Sequence, residues 1–395
     1  MKLSPFFLVT LFSLSAFAKT DPAKPVLASL NVLQAAGAKV VSSDAGLNLG
    51  YGLANPAQQE KISEIMHENG RCGGFESLSP DLKAGDVLAS LKSLVEKDRA
   101  YAKKRKLLTL EKKPEIVAAL KELDENNIRT TVEWLAAFPN RYNKDPRPNV
   151  HVDQFEGRLR NLMTGFRGSW KLEQIAHTST QQKSLRLHIE GTTRPRQIVV
   201  IGGHLDSISR MGNAPGADDN ASGSASILEA LRVFLSKGPA ERTIEFFWYA
   251  GEESGLLGSK EIAGKYKAET KNVVAVLQLD MTLFPGAGQG VIGSMEDFTS
   301  AWLRDYVVAV NDTYVGAQLI TDTCGYGCSD HASWYRQGFP TVMPFEADFD
   351  RMNHNIHTAG DVIDTRMSFA HSLMFAKIAL VMAMDLGNST ASQPY

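Results

Sequence analysis

Five short stretches of this 395-residue chain place side chains that hold metals or carry protons at the edges of apolar runs. They are Gly202-Gly203-His204-Leu205-Asp206, Gly216-Ala217-Asp218-Asp219-Asn220, Gly251-Glu252-Glu253, Asp280, and a loop with His354 and His357. Imidazole nitrogen and carboxylate oxygen both ligate zinc at about 2.0–2.2 Å. Each stretch has an ordinary explanation when taken alone. Asp218 could cap a helix, Glu252-Glu253 could be an exposed turn, and His357 could be a loop histidine. Their joint occurrence is harder to explain that way, because gathered carboxylates repel unless a cation neutralises them. Two divalent cations, three carboxylate ligands and one bridging hydroxide balance in charge. Such paired metals lower the pKa of bound water towards about 7 and support hydrolysis.

The surrounding pattern explains how these stretches could meet. Ser184–Glu190 alternates apolar and polar residues with Leu185, Leu187 and Ile189 on one face, which predicts a half-buried strand. Gln197–Ile201, Thr243–Ala250, Val273–Leu279 and Pro340–Phe345 read as further strands. Ile116–Phe138, Val152–Phe166, Ser222–Leu235, Phe298–Val310 and Met367–Leu386 read as helices. Strands alternating with helices predict an α/β fold, a mixed and largely parallel central sheet flanked by helices. In open sheets of this kind ligands bind outside the carboxyl ends of the strands. His204, Glu252, Glu253 and Asp280 all follow strands directly.

The N-terminal part reads differently. Lys2, the apolar run Pro5–Ala18 and Ala16-Phe17-Ala18 form a secretory signal pattern over residues 1–18. A membrane anchor needs about 20 apolar residues, and no later segment reads as a span. Residues 19–115 form a small N-terminal unit with a charged stretch, Glu96–Lys113, that reads as helix. It is either a propeptide-like region or a permanent accessory domain, and residues 116–395 form the catalytic unit. Net charge is -2 with mixed signs, and the Lys103-Lys104-Arg105-Lys106 run is short. That excludes the basic stripe of a nucleic-acid binder. Cys72, Cys324 and Cys328 are the only cysteines. Export favours their oxidation, and Cys72 is left over if the other two pair.

Read in order, the motifs resemble the M28 family of metallopeptidases, and within it the secreted bacterial leucyl aminopeptidases. They are Gly202–Ser207, Ala214–Gly223, Tyr249–Glu253, Gln278–Met281, Cys324–His331 and Asn355–Thr358. The resemblance covers about residues 124–386 and leaves the N-terminal unit out. It implies two Zn2+ ions, with Asp218 bridging them, His204 and Asp280 completing one site, and Glu253 and His357 completing the other. It implies Glu252 as the general base, Asp206 as the carboxylate that orients His204, and a cis peptide between Asp218 and Asp219.

The same resemblance pairs Cys324 with Cys328 in a disulfide; thiolate zinc ligation is the competing reading. It gives Tyr326 a hydrogen bond to the tetrahedral intermediate, and leaves Asp330, His331 and His354 outside the ligand set. Met281, Met343, Phe345, Phe349, Met352 and Ile356 would line the pocket for the first substrate side chain. Met352 stands where relatives often carry tyrosine. The implied activity is removal of apolar, leucine-like residues from peptides with a free N-terminus. The expected protein is a secreted or periplasmic monomer that binds neither membrane nor nucleic acid. Rival readings are another exopeptidase of this fold, a single-zinc glutaminyl-cyclase-like acyltransferase, and a non-enzymatic receptor domain. The apolar pocket and the full set of ligand positions argue against them.

Overall fold

A computed structural model describes residues 22–69, 71, 73–105, 108–209 and 211–393. The leader at residues 1–18 and Cys72 lie outside the described residues. The chain opens with β1 (Lys24–Ser29), α1 (Leu30–Ala35), β2 (Lys39–Asp44), β3 (Leu49–Ala54), α2 (Pro56–Glu68), β4 (Phe75–Ser77) and α3 (Ala84–Ala102). These strands form their own sheet in the order β2-β3-β1-β4. The helix expected over Glu96–Lys113 is instead the end of α3, which stops at Ala102. The basic run that follows has no apolar face to bury.

Three helices come next, α4 (Pro114–Leu120), α5 (Glu125–Ala136) and α6 (Val150–Leu162). The Asp124 side chain accepts from the Asn126 amide at 2.9 Å and starts α5. The central elements are β5 (Trp170–Ile175), β6 (Ser184–Ile189), β7 (Arg194–His204), α7 (Gly223–Lys237), β8 (Arg242–Tyr249), α8 (Leu257–Ala268) and β9 (Asn272–Gln278). The last are β10 (Val291–Met295), α9 (Ala301–Val310), β11 (Gln318–Asp322), α10 (His331–Arg336), β12 (Thr341–Val342), β13 (Pro344–Phe345) and α11 (Phe369–Val381).

The central sheet runs β12-β9-β7-β8-β6-β5. Strands β12, β9, β7 and β8 are parallel, and β6 and β5 pair antiparallel at one edge. Alternation along each strand sorts the two faces. Val199 and Ile201 of β7, with Phe246 and Trp248 of β8, join the core under α5, α7 and α11. Ile198 and Val200, with Phe247 and Tyr249, face the opposite core under α8 and α10. Both faces are covered, so β8 is buried along its whole length.

Two sequence expectations change. Pro340–Phe345 is not one strand. It breaks at Met343, with β12 joining the central sheet and β13 pairing with β10 in a third, three-stranded sheet. Phe369–Leu386 is long and apolar enough to cross a membrane, against the reading that no later segment is. It is 78% buried, and packs as a core helix against both α5 and α7.

Candidate active site

Strand β7 ends at His204, the turn after β8 carries Glu252 and Glu253, and Asp280 follows β9. Because β9, β7 and β8 are adjacent and parallel, these three exits open on one rim. The wide turn 217–222, ahead of α7, drops onto the same rim. Small residues allow the approach: a Cβ on Gly203 would lie 2.5 Å from the Leu279 carbonyl oxygen, and one on Gly223 would lie 2.4 Å from it.

The carboxylate at the centre is Asp219, not Asp218. His204 Nε2 is 3.1 Å from Asp219 Oδ1 and 3.4 Å from Asp280 Oδ1. His357 Nε2 is 2.8 Å from Asp219 Oδ2 and 2.9 Å from Glu253 Oε2. Asp219 therefore belongs to two buried donor triads, His204-Asp219-Asp280 and Asp219-Glu253-His357. Asp218 turns the other way. Its Oδ1 accepts from the Leu283 amide at 3.0 Å and its Oδ2 from Asn353 Nδ2 at 3.2 Å. The cis peptide shifts by the same step, to Asp219–Asn220. Two consecutive aspartates look alike in sequence. Only the twist of the turn, where Asp219 and Asn220 leave helical geometry, decides which one faces the histidines.

These triads fit metal ions. Donors bound tetrahedrally at about 2.1 Å sit roughly 3.4 Å from one another, close to the spacings here. His204 Nε2, Asp280 Oδ1 and Glu253 Oε1 are buried and make no hydrogen bond. Buried polar atoms are normally satisfied, and a cation in each triad would satisfy these. The electrostatics agree. Burial raises the Glu253 carboxyl to about 7, and Glu252 well above its ordinary range. Burial opposes charge on His357, yet Glu253 and Asp219 outweigh it and hold the imidazole up at about 10. Burial also works against Asp219 ionisation, but contacts from His204 and His357 win and keep its carboxyl far below normal. The site lacks positive charge and borrows it from its histidines.

Other expected residues fall as follows. His204 Nδ1 is 3.1 Å from the Asp206 main-chain oxygen and 3.5 Å from its Oδ1. The Asp206 carboxylate also accepts from the Glu252 and Glu253 amides at 3.1 and 3.3 Å. It thus ties the end of β7 to the turn after β8. Cys324 and Cys328 form a disulfide, with Cα atoms 6.0 Å apart. Tyr326 sits in that loop with its ring buried. Met281, Met343, Phe345, Phe349, Met352 and Ile356 are all buried and share one apolar cluster with Tyr326. That cluster continues into Val26, Ala28, Leu33, Ile62, Met66 and Phe75 of the N-terminal unit.

Asp330 is buried and accepts from Gln278 Nε2 at 3.1 Å. His331 is buried, and burial pulls it down to about 3. His354 is exposed and sits 3.2 Å from the Asp350 carbonyl oxygen. Neither histidine belongs to a donor triad.

Sequence reasoning missed the residues that shape the turn. Asp361 accepts from the Asp218 and Asp219 amides at 3.1 and 3.0 Å. Asn220 donates to the Leu279 carbonyl at 3.0 Å and accepts from the Met281 amide at 3.2 Å. Ser329 donates to Asp280 Oδ2 at 2.6 Å. Their signal was proximity: Asn220 and Ser329 lie inside quoted motifs, and Asp361 follows His357 by four residues. Met281 and His357 both hold φ of +56°, a left-handed backbone that non-glycine residues adopt rarely and mostly at functional sites.

A buried pair of His/carboxylate triads at the C-terminal rim of a largely parallel sheet defines a metallohydrolase. The model of peptidase family M28 matches residues 185–383. A probable leucine aminopeptidase of Trichophyton verrucosum is 37% identical over 284 residues, 70% of this chain and 77% of that protein. Leucine aminopeptidase 1 of Pyrenophora teres f. teres is 35% identical over 297 residues, 68% of this chain and 72% of that protein. The crystal structure of the LapA aminopeptidase of Legionella pneumophila superposes with a TM-score of 0.77 at 26% identity, covering 93% of this chain and 99% of that one. The chain belongs to peptidase family M28 and is a hydrolase of the metallo-aminopeptidase kind. The two curated relatives are fungal, so the likeness is not confined to bacterial enzymes.

Proposed function

We propose that this protein is a secreted aminopeptidase that uses two zinc ions to release apolar, leucine-like residues from the N-termini of peptides. The observation that carries this reading is one carboxylate, Asp219, shared between two buried donor triads. His204 and Asp280 would hold one ion with it, and Glu253 and His357 the other. When bound, such a pair polarises the scissile carbonyl and acidifies a water. Glu252 stands beside Glu253 on the same turn and belongs to neither triad. It is free to take the proton of the attacking water and pass it to the leaving amine. The apolar cluster around Met281, Phe345 and Ile356 supports the substrate preference, since burying a Leu-sized side chain contributes about 1.5–3 kcal/mol.

The reading includes a monomer acting on peptides with a free N-terminus, without membrane or nucleic-acid partners. It also includes export through residues 1–18 and a propeptide-like role for residues 19–115. N-terminal sequencing of protein recovered from culture medium tests both processing steps; a start at Met1 would refute them. For the chemistry, the purified protein should contain two equivalents of zinc and hydrolyse leucine p-nitroanilide, and a chelator should abolish that activity. One equivalent of zinc without hydrolysis would favour the single-zinc acyltransferase instead.

A further inference from the structure

Arg141 lies in the connection between α5 and α6, a loop that carries no ligand, and its guanidinium is completely buried. All four of its hydrogen bonds go to main-chain carbonyls. Nε donates to Leu205 O at 2.9 Å, Nη1 to Leu135 O at 2.9 Å and to Pro215 O at 2.5 Å, and Nη2 to Gly216 O at 2.9 Å. Leu205 stands between His204 and Asp206. Pro215 and Gly216 lead directly into Ala217-Asp218-Asp219. One side chain thus clamps the backbone of the two loops that deliver His204 and Asp219.

The clamp extends to a third loop. The Arg141 carbonyl accepts from Gln182 Nε2 at 2.9 Å, and Gln182 Oε1 accepts from the Gly251 amide at 2.9 Å. Gly251 precedes Glu252 and Glu253. The fit at Gly216 is close. Its φ is +52°, and a Cβ there would lie 2.8 Å from Arg141 Nη2 and 2.5 Å from Ser207 Cβ. Burying a cation that has no hydrogen-bonded counterion is costly. Here that cost is offset by the four carbonyls and by the field of Asp361, Asp206, Asp219 and Glu253. A planar fork with several fixed donors suits this task, and a lysine ammonium does not.

We propose that Arg141 is a positioning residue that sets the spacing of the two donor triads and thereby their affinity for metal, with Gln182 relaying the constraint to the Glu253 loop. The assignment rests on the di-metal reading above. It makes a site-by-site prediction that a role in folding alone does not.

The test is titration of Co2+ and Zn2+ into chelator-stripped full-length protein, with each binding step followed separately. The unaltered protein should show two steps. Arg141→Lys should weaken both steps, because Asp219 serves both, and by at least ten-fold the step assigned to His204, Asp219 and Asp280, whose two loops it clamps. Gln182→Met, which keeps the volume and cuts the relay together with the Gln182 contacts to the Pro148 carbonyl and His151, should weaken the Glu253-His357 step several-fold and leave the other in place. Gln182→Met keeps the assignment testable if Arg141→Lys does not fold. Wild-type affinity at both steps in folded variants would overturn the assignment, as would equal loss at both steps in Gln182→Met. Fewer than two steps in the unaltered protein would instead remove the di-metal reading, and this assignment with it.

Discussion

Asp218 and Asp219 are chemically identical and adjacent, yet they face opposite environments, so a pair of variants separates their roles. Asp219→Asn should lose both metals and nearly all activity, because each triad loses its shared charged donor. Asp218→Asn should retain metal and lose far less, since its carboxylate serves Leu283, Ser222 and Asn353. Metal analysis alongside leucine p-nitroanilide kinetics decides between them; the opposite ranking would restore Asp218 as the bridge. Glu252→Gln should keep two metals and lower kcat by about 10²–10⁴-fold, the usual contribution of a general base. Full activity in that variant would remove the assignment.

The buried charges also set a pH trend for the metal-free protein. Glu253 is raised from 4.5 to about 7, so its contribution to stability is complete below about 4.5 and is lost as pH rises through 7. His357 is raised from 6.5 to about 10, so its contribution is lost between those values. Asp219 is depressed, and its contribution is already complete above about pH 4. Above pH 6.5, where the histidines held below that value no longer titrate, the Tm of chelator-stripped protein should therefore fall steadily to pH 10, and added zinc should reverse the fall. A flat or rising Tm would show that these groups are not coupled as described.

At the level of elements, strand register is what makes the site. His204 pairs with Tyr249 across β7 and β8, and Gly202 pairs with Gln278 across β7 and β9. The three strand exits that carry His204, Glu253 and Asp280 are level to within a few residues. The loop 324–328 is closed on itself by its disulfide and anchored by Asp297, which accepts from the Cys324 and Gly325 amides at 2.9 and 2.6 Å. Closing so small a loop contributes about 2 kcal/mol by restricting the unfolded chain. Replacing both cysteines with serine should lower unfolding free energy by about that amount in denaturant titration. No change would show that Asp297 and packing suffice.

The same comparison shows what periodicity could tell. The spacing of apolar residues located β6, β7, β8, β9, α7 and α11, because buried strands and amphipathic helices announce themselves. It missed β5, β10, β11, α8, α10 and the N-terminal sheet. β10 and β11 are short strands of a small sheet, and β1 to β4 are short strands whose pairing only the folded chain reveals.

Across the whole molecule, the N-terminal unit is bound firmly to the rest. Glu76 of β4 forms a buried ion pair with Arg336 of α10, accepting from Nε at 2.9 and 3.0 Å. Asp98 of α3 accepts from the Ala301 amide at 3.0 Å and from Tyr335 Oη at 2.6 Å. Ser29 donates to the Gly325 carbonyl at 2.8 Å, and the Arg71 guanidinium lies 4.7 Å over the Phe349 ring. The unit therefore rests on the disulfide loop and on the apolar cluster of Met281, Phe345 and Phe349. Glu76→Ala leaves a buried arginine unpaired and should cost about 3–5 kcal/mol, measurable by thermal or denaturant unfolding. A loss under about 1 kcal/mol would mean that the pair is open to water.

Local pattern was enough to establish the layered α/β class, the positions of most core elements, and the fact that five stretches would supply histidine and carboxylate to one rim. Those features repeat along the chain with periods of two or 3.6 residues, or sit at strand ends, and can be read without distances. Which aspartate is shared, which backbone groups hold it, and how Arg141 and Asp361 enter the site could not be read that way. They depend on the path of one turn and on contacts between residues 64 to 143 positions apart. Sequence order carries no record of such separations; only the packed chain does.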